Sequence, residues 1–354
     1  MVIAMFIKAN FHKFTAALLS LAIVIVCIML LIFSKECADG AFSGVEMCIN
    51  VLIPSLFPFM AVSSFTVKSG ISDFLGKPFG KIMKSVFGLS PCFAPILLLS
   101  VTGGYPIGAK SCNELYKNGN VGTEECKRAS MFMVCAGPGF LVSFIGMSIY
   151  NDKKIGIIML CSQILSVLIT GIANRIINRG KIFATAKESN KIRLSLTKSL
   201  VEAVYDASIC SFVIAFSAVA GILSTVLDDG FVKTAVLSIF EVCTGVKTAS
   251  SELPVWAVAF VAGFGGICVH FQIFSVLGNL KINKLIFFCY RIIQGILTAL
   301  FTYIGMLIFY DTKSVFSVGT VSGSSVYGGT AFSGIALTAL MICFLFLLKN
   351  YRNN

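Results

Sequence analysis

The chain has 354 residues, of which 57% are hydrophobic and only 12% are charged, and its mean hydropathy is +0.92. Soluble domains carry roughly a quarter charged residues, so this composition excludes a soluble globular protein and predicts an integral membrane protein. The net charge of +12 is interpreted as loop charge, because no basic patch interleaved with aromatic residues indicates nucleic-acid binding. The 13 cysteines form no Cys-x-x-Cys pair, and we predict neither a metal site nor a cofactor.

About 20 apolar residues are needed to cross the hydrocarbon core. The chain has eight apolar stretches of about this length or longer. They are residues 14–33, 45–67, 129–150, 155–175, 200–227, 254–278, 285–310 and 331–348. The first of them is interpreted as a retained helix, because it is long for a signal peptide and lacks a clear small-x-small cleavage site. Two shorter, interrupted segments, 91–117 and 231–252, are interpreted as re-entrant helical hairpins. The sequence therefore predicts an all-α membrane protein with eight transmembrane helices and two hairpins.

Lysine and arginine are unevenly distributed over the loops of this layout. With the N-terminus inside, 20 of the 28 fall on the inner side, 5 on the outer side and 3 within membrane segments. Positive residues concentrate on the cytoplasmic side of membrane proteins. Both termini are therefore predicted to be cytoplasmic.

The layout divides into two halves with the same order of elements, namely a span, a hairpin and two further spans. Residues 41–178 form the first half and residues 199–310 the second, with a basic cytoplasmic linker at 179–198. The two hairpins open to opposite sides, which predicts inverted repeats of the kind found in many secondary transporters. Residues 1–40 add a flanking N-terminal helix, and residues 311–354 add an external loop and a C-terminal helix.

Glycine and proline interrupt both halves at matching positions. In the first hairpin, Thr102-Gly103 and then Lys110-Ser111 are echoed in the second by Thr244-Gly245 and Lys247-Thr248. In the third elements, the run 136–140 is echoed by the run 262–266. Backbone that leaves a helix in hydrocarbon is tolerated only where it is buried in protein or lines a watery cavity, and paired breaks indicate a binding site.

Lys110 and Lys247 are predicted to be the cationic groups of that site. Half-helix N-termini favour anions, so two lysines and two such termini suit a small carboxylated substrate. The alternative is that Lys110 pairs with Glu114, and Lys247 with Glu252, as structural ion pairs. The predicted substrate-binding residues are Gly103, Gly104, Tyr105, Pro106, Gly108, Lys110, Ser111, Pro138, Gly139, Thr244, Lys247, Gly265 and His270.

Other ionisable residues allow two interpretations. Glu202 and Asp206 share one helix face and are interpreted as an interfacial cluster with Arg193 and Lys198, although ion or proton coupling is the alternative. Arg291 is predicted to snorkel towards the cytoplasm.

Among the remaining polar residues, His270 has a structural alternative as a hydrogen-bonded group, and Glu241 is a deeper residue that can line a path. No His-Glu-x-x-His, Gly-x-Ser-x-Gly or P-loop motif occurs, and the chain is predicted not to be an enzyme.

Three stretches, taken in order, resemble the sporulation integral membrane protein YlbJ family, also called SpoVV, within the nucleoside recognition (Gate) domain superfamily. They are Leu52–Phe59, Gly103–Lys110 and Ala136–Phe140, and the likeness covers about residues 40–310. The resemblance implies a fold similar to concentrative nucleoside transporters. It also implies spore formation and movement of dipicolinate from the mother cell towards the forespore across the outer forespore membrane. Val134-Cys135-Ala136 departs from the polar residues expected at this turn, which leaves the backbone to contact the ligand.

The sequence thus predicts a transporter for a small anionic metabolite, dipicolinate by resemblance, in the cell membrane or the outer forespore membrane. The alternatives are a transporter of nucleosides or other small solutes, and a non-transporting membrane protein of spore assembly. The expected partners are the anionic solute and the lipid bilayer, with a homo-oligomer left open and no nucleic acid.

Overall fold

The computed structural model describes residues 17–310 apart from 19, 22, 120, 179–195 and 279, and every regular element in this part of the chain is helical. The all-helical class predicted from the sequence is therefore confirmed for these residues. The predicted span 331–348, the external loop before it and most of the predicted linker lie outside the described residues.

Fourteen helices provide the framework of the described chain. They are α1 (Ile23–Ile32), α2 (Ser34–Lys68), α3 (Ile71–Gly76), α4 (Phe93–Gly103), α5 (Ile107–Lys117), α6 (Thr123–Phe132), α7 (Gly139–Ile149), α8 (Lys153–Ile177), α9 (Thr197–Val226), α10 (Phe231–Phe240), α11 (Val242–Glu252), α12 (Val255–Phe264), α13 (Gly266–Leu277) and α14 (Lys284–Phe309). Short 3₁₀, α and π turns follow α3 over 77–87, and α7 is wound as a π-helix.

Five apolar helical stretches of the described chain are long enough to cross a membrane: α2, α8, α9, α12 with α13, and α14. Four of them match predicted spans to within three residues at each end. The fifth differs, because α2 begins at Ser34 rather than at residue 45. The loop predicted between the first two spans is thus helical, and α2 crosses the predicted boundary at residue 40. The predicted span 129–150 is divided between α6 and α7.

Glycines allow α2 and α9 to pack closely. A Cβ at Gly40 would lie 2.4 Å from the Ser217 carbonyl oxygen, and one at Gly221 would lie 2.4 Å from the Glu36 carbonyl oxygen. Gly44, one turn after Gly40, also lies against α9. Small residues four apart let two helix backbones approach in lipid. The first long helix of each predicted half therefore packs against the other.

Two pairs of short helices correspond to the predicted hairpins. The arms α4 and α5 have 11 residues each, and α10 and α11 have 10 and 11. At 1.5 Å per residue an arm spans about 16 Å, roughly half of the hydrocarbon core. The arms of each pair contact one another, so each pair folds back on itself as predicted. That the pairs are re-entrant remains a prediction.

The predicted third elements are both interrupted. Residues 133–138 separate α6 from α7, and Gly265, with φ +89°, separates α12 from α13. We name these the first break and the second break. Both fall at or beside the glycines that the sequence singled out.

Candidate functional site

The tip of the first hairpin packs into the first break. Gly104 has φ +85° and ψ −168°, and a Cβ there would lie 2.7 Å from the Gly137 backbone nitrogen. A Cβ at Gly108 would lie 1.9 Å from the Met133 carbonyl oxygen. Only glycine allows this backbone conformation and this approach, which explains why glycines flank the tip.

The tip of the second hairpin lies against the second break in the same manner. Between α10 and α11 the chain turns at Glu241, and a Cβ at Gly266 would lie 3.2 Å from the Val242 backbone nitrogen. Each hairpin tip is thus held against the interrupted element of its own half.

Side chains satisfy the carbonyl groups that the first break frees. The three consecutive carbonyls of 132–134 accept hydrogen bonds from Gln294, Ser100 and Arg291, in that order, at 3.0, 2.9 and 2.6 Å. Buried backbone acceptors need such partners. Two of the three donors come from α14, so the second half supplies most of the hydrogen bonds that the first break needs.

The first half also supplies a hydrogen bond to the helix that ends at the second break. The Tyr105 hydroxyl, on the first hairpin tip, donates to the Ala262 carbonyl. The Phe264 carbonyl lies 3.1 Å from the His270 Nε2 atom. His270 is fully buried and meets the rings of Phe264 and Phe288 edge-on, with centroids 4.8 and 4.7 Å away. Its surroundings match the structural alternative rather than the predicted substrate contact.

Both hairpin tips line one cavity, which we call the tip cavity. Its walls are formed by Leu52, Ser55, Leu56, Gly103, Gly104, Tyr105, Gly137, Gly139, Phe140, Ile209, Cys210, Val213, Glu241, Val242, Cys243, Val269 and Gln272. Its volume is about 40 Å³, which is enough for ordered water. Small-molecule sites usually measure about 300 Å³ or more, so the tip cavity is too small for a metabolite-sized ligand in this conformation.

Glu241 places a carboxylate in the wall of the tip cavity. The side chain is fully buried and accepts hydrogen bonds from the backbone nitrogens of Cys243 at 2.9 Å and Thr244 at 2.6 Å. It therefore caps the N-terminus of α11 and occupies the N–H groups that an anion would use. Among the described lining residues no lysine or arginine occurs.

The structure brings together only part of the predicted site. Four of the predicted residues line the tip cavity, namely Gly103, Gly104, Tyr105 and Gly139. Seven others belong to the hairpins or breaks without lining the tip cavity, namely Pro106, Gly108, Ser111, Pro138, Thr244, Gly265 and His270. Ser55, Gly137 and Gln272 were not among the predicted substrate-binding residues yet line it, and so does Glu241, which the sequence marked as able to line a path.

The two predicted lysines do not meet in this cavity. Lys247 is exposed on α11. Lys110 is 5% exposed and belongs to a separate ionic cluster. Its Nζ lies 2.5 Å from the Ser64 Oγ and 3.3 Å from a Glu114 carboxylate oxygen, and it forms an ion pair with Asp206. The ion pair with Glu114, which was the alternative interpretation, is therefore present for Lys110.

The carboxylates of α9 pair with the first half. Glu202 forms an ion pair with Lys68, and Asp206 forms one with Lys110. These contacts take the place of the predicted pairing with Lys198, while Arg193 lies outside the described residues. They tie α2, α5 and α9 together away from the tip cavity.

Arg291 corrects another prediction. Its side chain is fully buried and donates to the Val134 carbonyl inside the protein, so it does not snorkel. The sequence signal was an arginine within an apolar span, a position that is costly unless the residue has a function or a partner.

These elements define a helical integral membrane protein with a cavity between two helical hairpins. Over 309 residues the chain is 24% identical to the sporulation integral membrane protein YlbJ of Bacillus subtilis (strain 168), a match covering 74% of this chain and 76% of the relative. The resemblance predicted from the sequence is confirmed by this similarity. It does not extend to the Gate domain superfamily, which stays a prediction. No family model matches the chain, and no solved structure matches it.

Proposed function

We propose that this protein is a membrane transporter for a small anionic metabolite, dipicolinate by family resemblance, carried from the mother cell towards the forespore. The observation that carries the proposal is the tip cavity, which both hairpin tips line. Transporter sites lie at the interface of two repeats and are built from discontinuous helices. The sporulation setting is supported by the name of the relative. The proposal is for a transporter and not for an enzyme.

The order of the helices supports the two-repeat part of this proposal. In the first half a long helix, α2, precedes the hairpin α4–α5, the broken pair α6–α7 and the long helix α8. In the second half α9, α10–α11, α12–α13 and α14 follow in the same order. Alternating access would then consist of one hairpin tip leaving its break while the other stays seated.

A transporter of nucleosides or other neutral solutes is the second candidate, and Glu241 favours it. A buried carboxylate accepts hydrogen bonds from hydroxyl groups and repels anions at short range. An anionic solute would therefore have to enter against the charge of Glu241 or together with a cation.

Uptake by the purified protein in liposomes tests these proposals. Saturable uptake of labelled dipicolinate that excess nucleoside does not reduce is the result expected for the anion transporter. Saturable nucleoside uptake without dipicolinate uptake supports the second candidate. Absence of flux for both solutes, in liposomes where the protein is folded, overturns both and supports the non-transporting spore-assembly protein.

Glu241→Gln is expected to lower the KM for dipicolinate about fivefold. The change removes a negative charge whose repulsion of the anion amounts to about 1 kcal/mol or more at close range. It keeps a hydrogen-bond acceptor for the N-terminus of α11. Initial rates measured over a concentration series check this effect.

Glu46→Gln serves as the matched control, because Glu46 is an exposed carboxylate on α2 outside the tip cavity. It should leave KM unchanged. A higher KM for dipicolinate in Glu241→Gln would show that the carboxylate contacts the solute favourably, contrary to this account.

A further inference from the structure

Arg291 is a fully buried cation in the interior of a long apolar helix. It lies seven residues after the start of α14, about 10 Å along the helix. A charged side chain deep in a membrane protein is costly and marks a functional path by default. Such a residue needs either a full set of partners or a ligand.

The guanidinium has only part of its hydrogen bonds. Nη1 donates to the Val134 carbonyl at 2.6 Å, whereas Nε and Nη2 have no hydrogen-bond partner. Within the described chain no carboxylate lies within 4 Å of it. The Phe287 ring, with its centroid 5.9 Å away, is its cation–π neighbour.

Arg128 shows what a structural arginine looks like in the same protein. It is 6% exposed, and its Nε donates to Asn174 at 3.0 Å. Its two Nη atoms donate to the carbonyls of Gly88 and Phe87 at 3.2 and 3.1 Å. Every nitrogen of this guanidinium donates a hydrogen bond. The two nitrogens of Arg291 without a hydrogen-bond partner are therefore not a general property of buried arginines in this fold.

Tyr105 connects the tip cavity to the helix pair that includes Arg291. This tyrosine lines the tip cavity, and its hydroxyl donates a hydrogen bond to the Ala262 carbonyl near the end of α12. α12 packs against α14, the helix that carries Arg291. Separation of the first hairpin tip from the breaks would move Tyr105 and open a route from the tip cavity to Arg291.

We propose that Arg291 binds a carboxylate group of the transported solute in the state in which the first hairpin tip has moved. The inference rests on the proposed function and deepens it, since the tip cavity itself offers an anion no basic side chain. A planar guanidinium with free Nε and Nη2 presents the two parallel donors that a carboxylate takes in bidentate fashion. The hydrogen bond to Val134 holds the third nitrogen and so fixes the orientation of the fork.

Binding of radiolabelled dipicolinate to the purified protein tests the assignment. Arg291→Gln keeps a donor for the Val134 carbonyl and removes the charge, and it is expected to weaken binding at least about twentyfold. Arg291→Lys keeps the charge and loses the fork, and it should lie between wild type and the glutamine variant. Arg128→Gln, the matched buried control, should lower the melting temperature while leaving the dissociation constant within about twofold.

The outcomes separate the inference from the function on which it rests. Wild-type affinity in a folded Arg291→Gln protein overturns the role of Arg291 and leaves the transporter proposal standing. If Arg291→Gln fails to fold, wild-type affinity in Arg291→Lys overturns the bidentate contact, whereas weakened binding upholds it. A wild-type protein that binds nucleoside and no dipicolinate overturns both the anion transporter and this site.

Discussion

Lys110→Met is expected to lower the free energy of unfolding by about 3 kcal/mol, because it leaves buried carboxylates without their cation. The Lys110 side chain is only 7% exposed, and those of Glu114 and Asp206 are 11% and 20% exposed. Removing one partner of a buried ion pair costs far more than the pair contributes in net stability. Chemical or thermal unfolding of the purified protein in detergent measures the loss.

Lys68→Met is the matched control for this change. Lys68 also pairs with a carboxylate of α9, but it is 33% exposed and its partner Glu202 is 37% exposed. Exposed ion pairs contribute at most about 1 kcal/mol, so this variant should lose no more than that. Equal losses in Lys68→Met and Lys110→Met would contradict the assignment of Lys110 to a buried cluster.

A double variant distinguishes the structural role of Lys110 from the anion-binding role that the sequence suggested. Lys110→Met combined with Asp206→Asn removes the cation together with one anion, and it should regain at least half of the lost stability. Uptake that Lys110→Met loses together with its stability should recover in parallel. If stability returns while dipicolinate uptake stays abolished, Lys110 contacts the solute after all.

The class of the protein and most long helices could be predicted, because hydropathy and length decide which segments cross a membrane. The hairpins and both breaks were also accessible, since glycine and proline end helices for local reasons. The start of α2 was not accessible. Residues 34–44 carry charged and small side chains, and what favours a helix there is close packing of Gly40 and Gly44 against α9, a contact distant in sequence.

Helical register separates the two predicted lysines. Lys110 is the fourth residue of α5, whereas Lys247 is the sixth residue of α11. Two residues rotate a side chain by about 200° around a helix, so equivalent motifs point to opposite faces. Gly245 occupies the place in α11 that Lys110 has in α5, and there the two arms of the second hairpin touch.

The sequence marked Glu241 only as able to line a path and Arg291 only as a snorkelling residue, and neither was among the predicted substrate-binding residues. Their importance arises from contacts over long separations in the chain, such as the Arg291 hydrogen bond to Val134 across 157 residues. Hydropathy does not report such contacts. A single ionisable residue inside an apolar span was the available signal, and it marks a functional position more reliably than a lysine near a helix end.

Gly104→Ala is expected to abolish the seated position of the first hairpin tip and to lower uptake more than tenfold. At φ +85° and ψ −168° a side chain costs about 1–3 kcal/mol in backbone strain alone. The added Cβ would also lie 2.7 Å from the Gly137 nitrogen, where backbone rather than a flexible side chain must give way. Both costs act at the point where the tip closes the tip cavity.

Gly230→Ala is the control that separates backbone strain from the steric contact with the Gly137 nitrogen. Gly230 has φ +141° and ψ −174°, again a backbone conformation favoured by glycine, but nothing lies within 4 Å of its Cβ position. This variant should lose stability through backbone strain and keep uptake within about twofold. Were Gly104→Ala to transport as well as Gly230→Ala, close seating of the tip against the first break would have no part in transport, because the two variants differ chiefly in that contact.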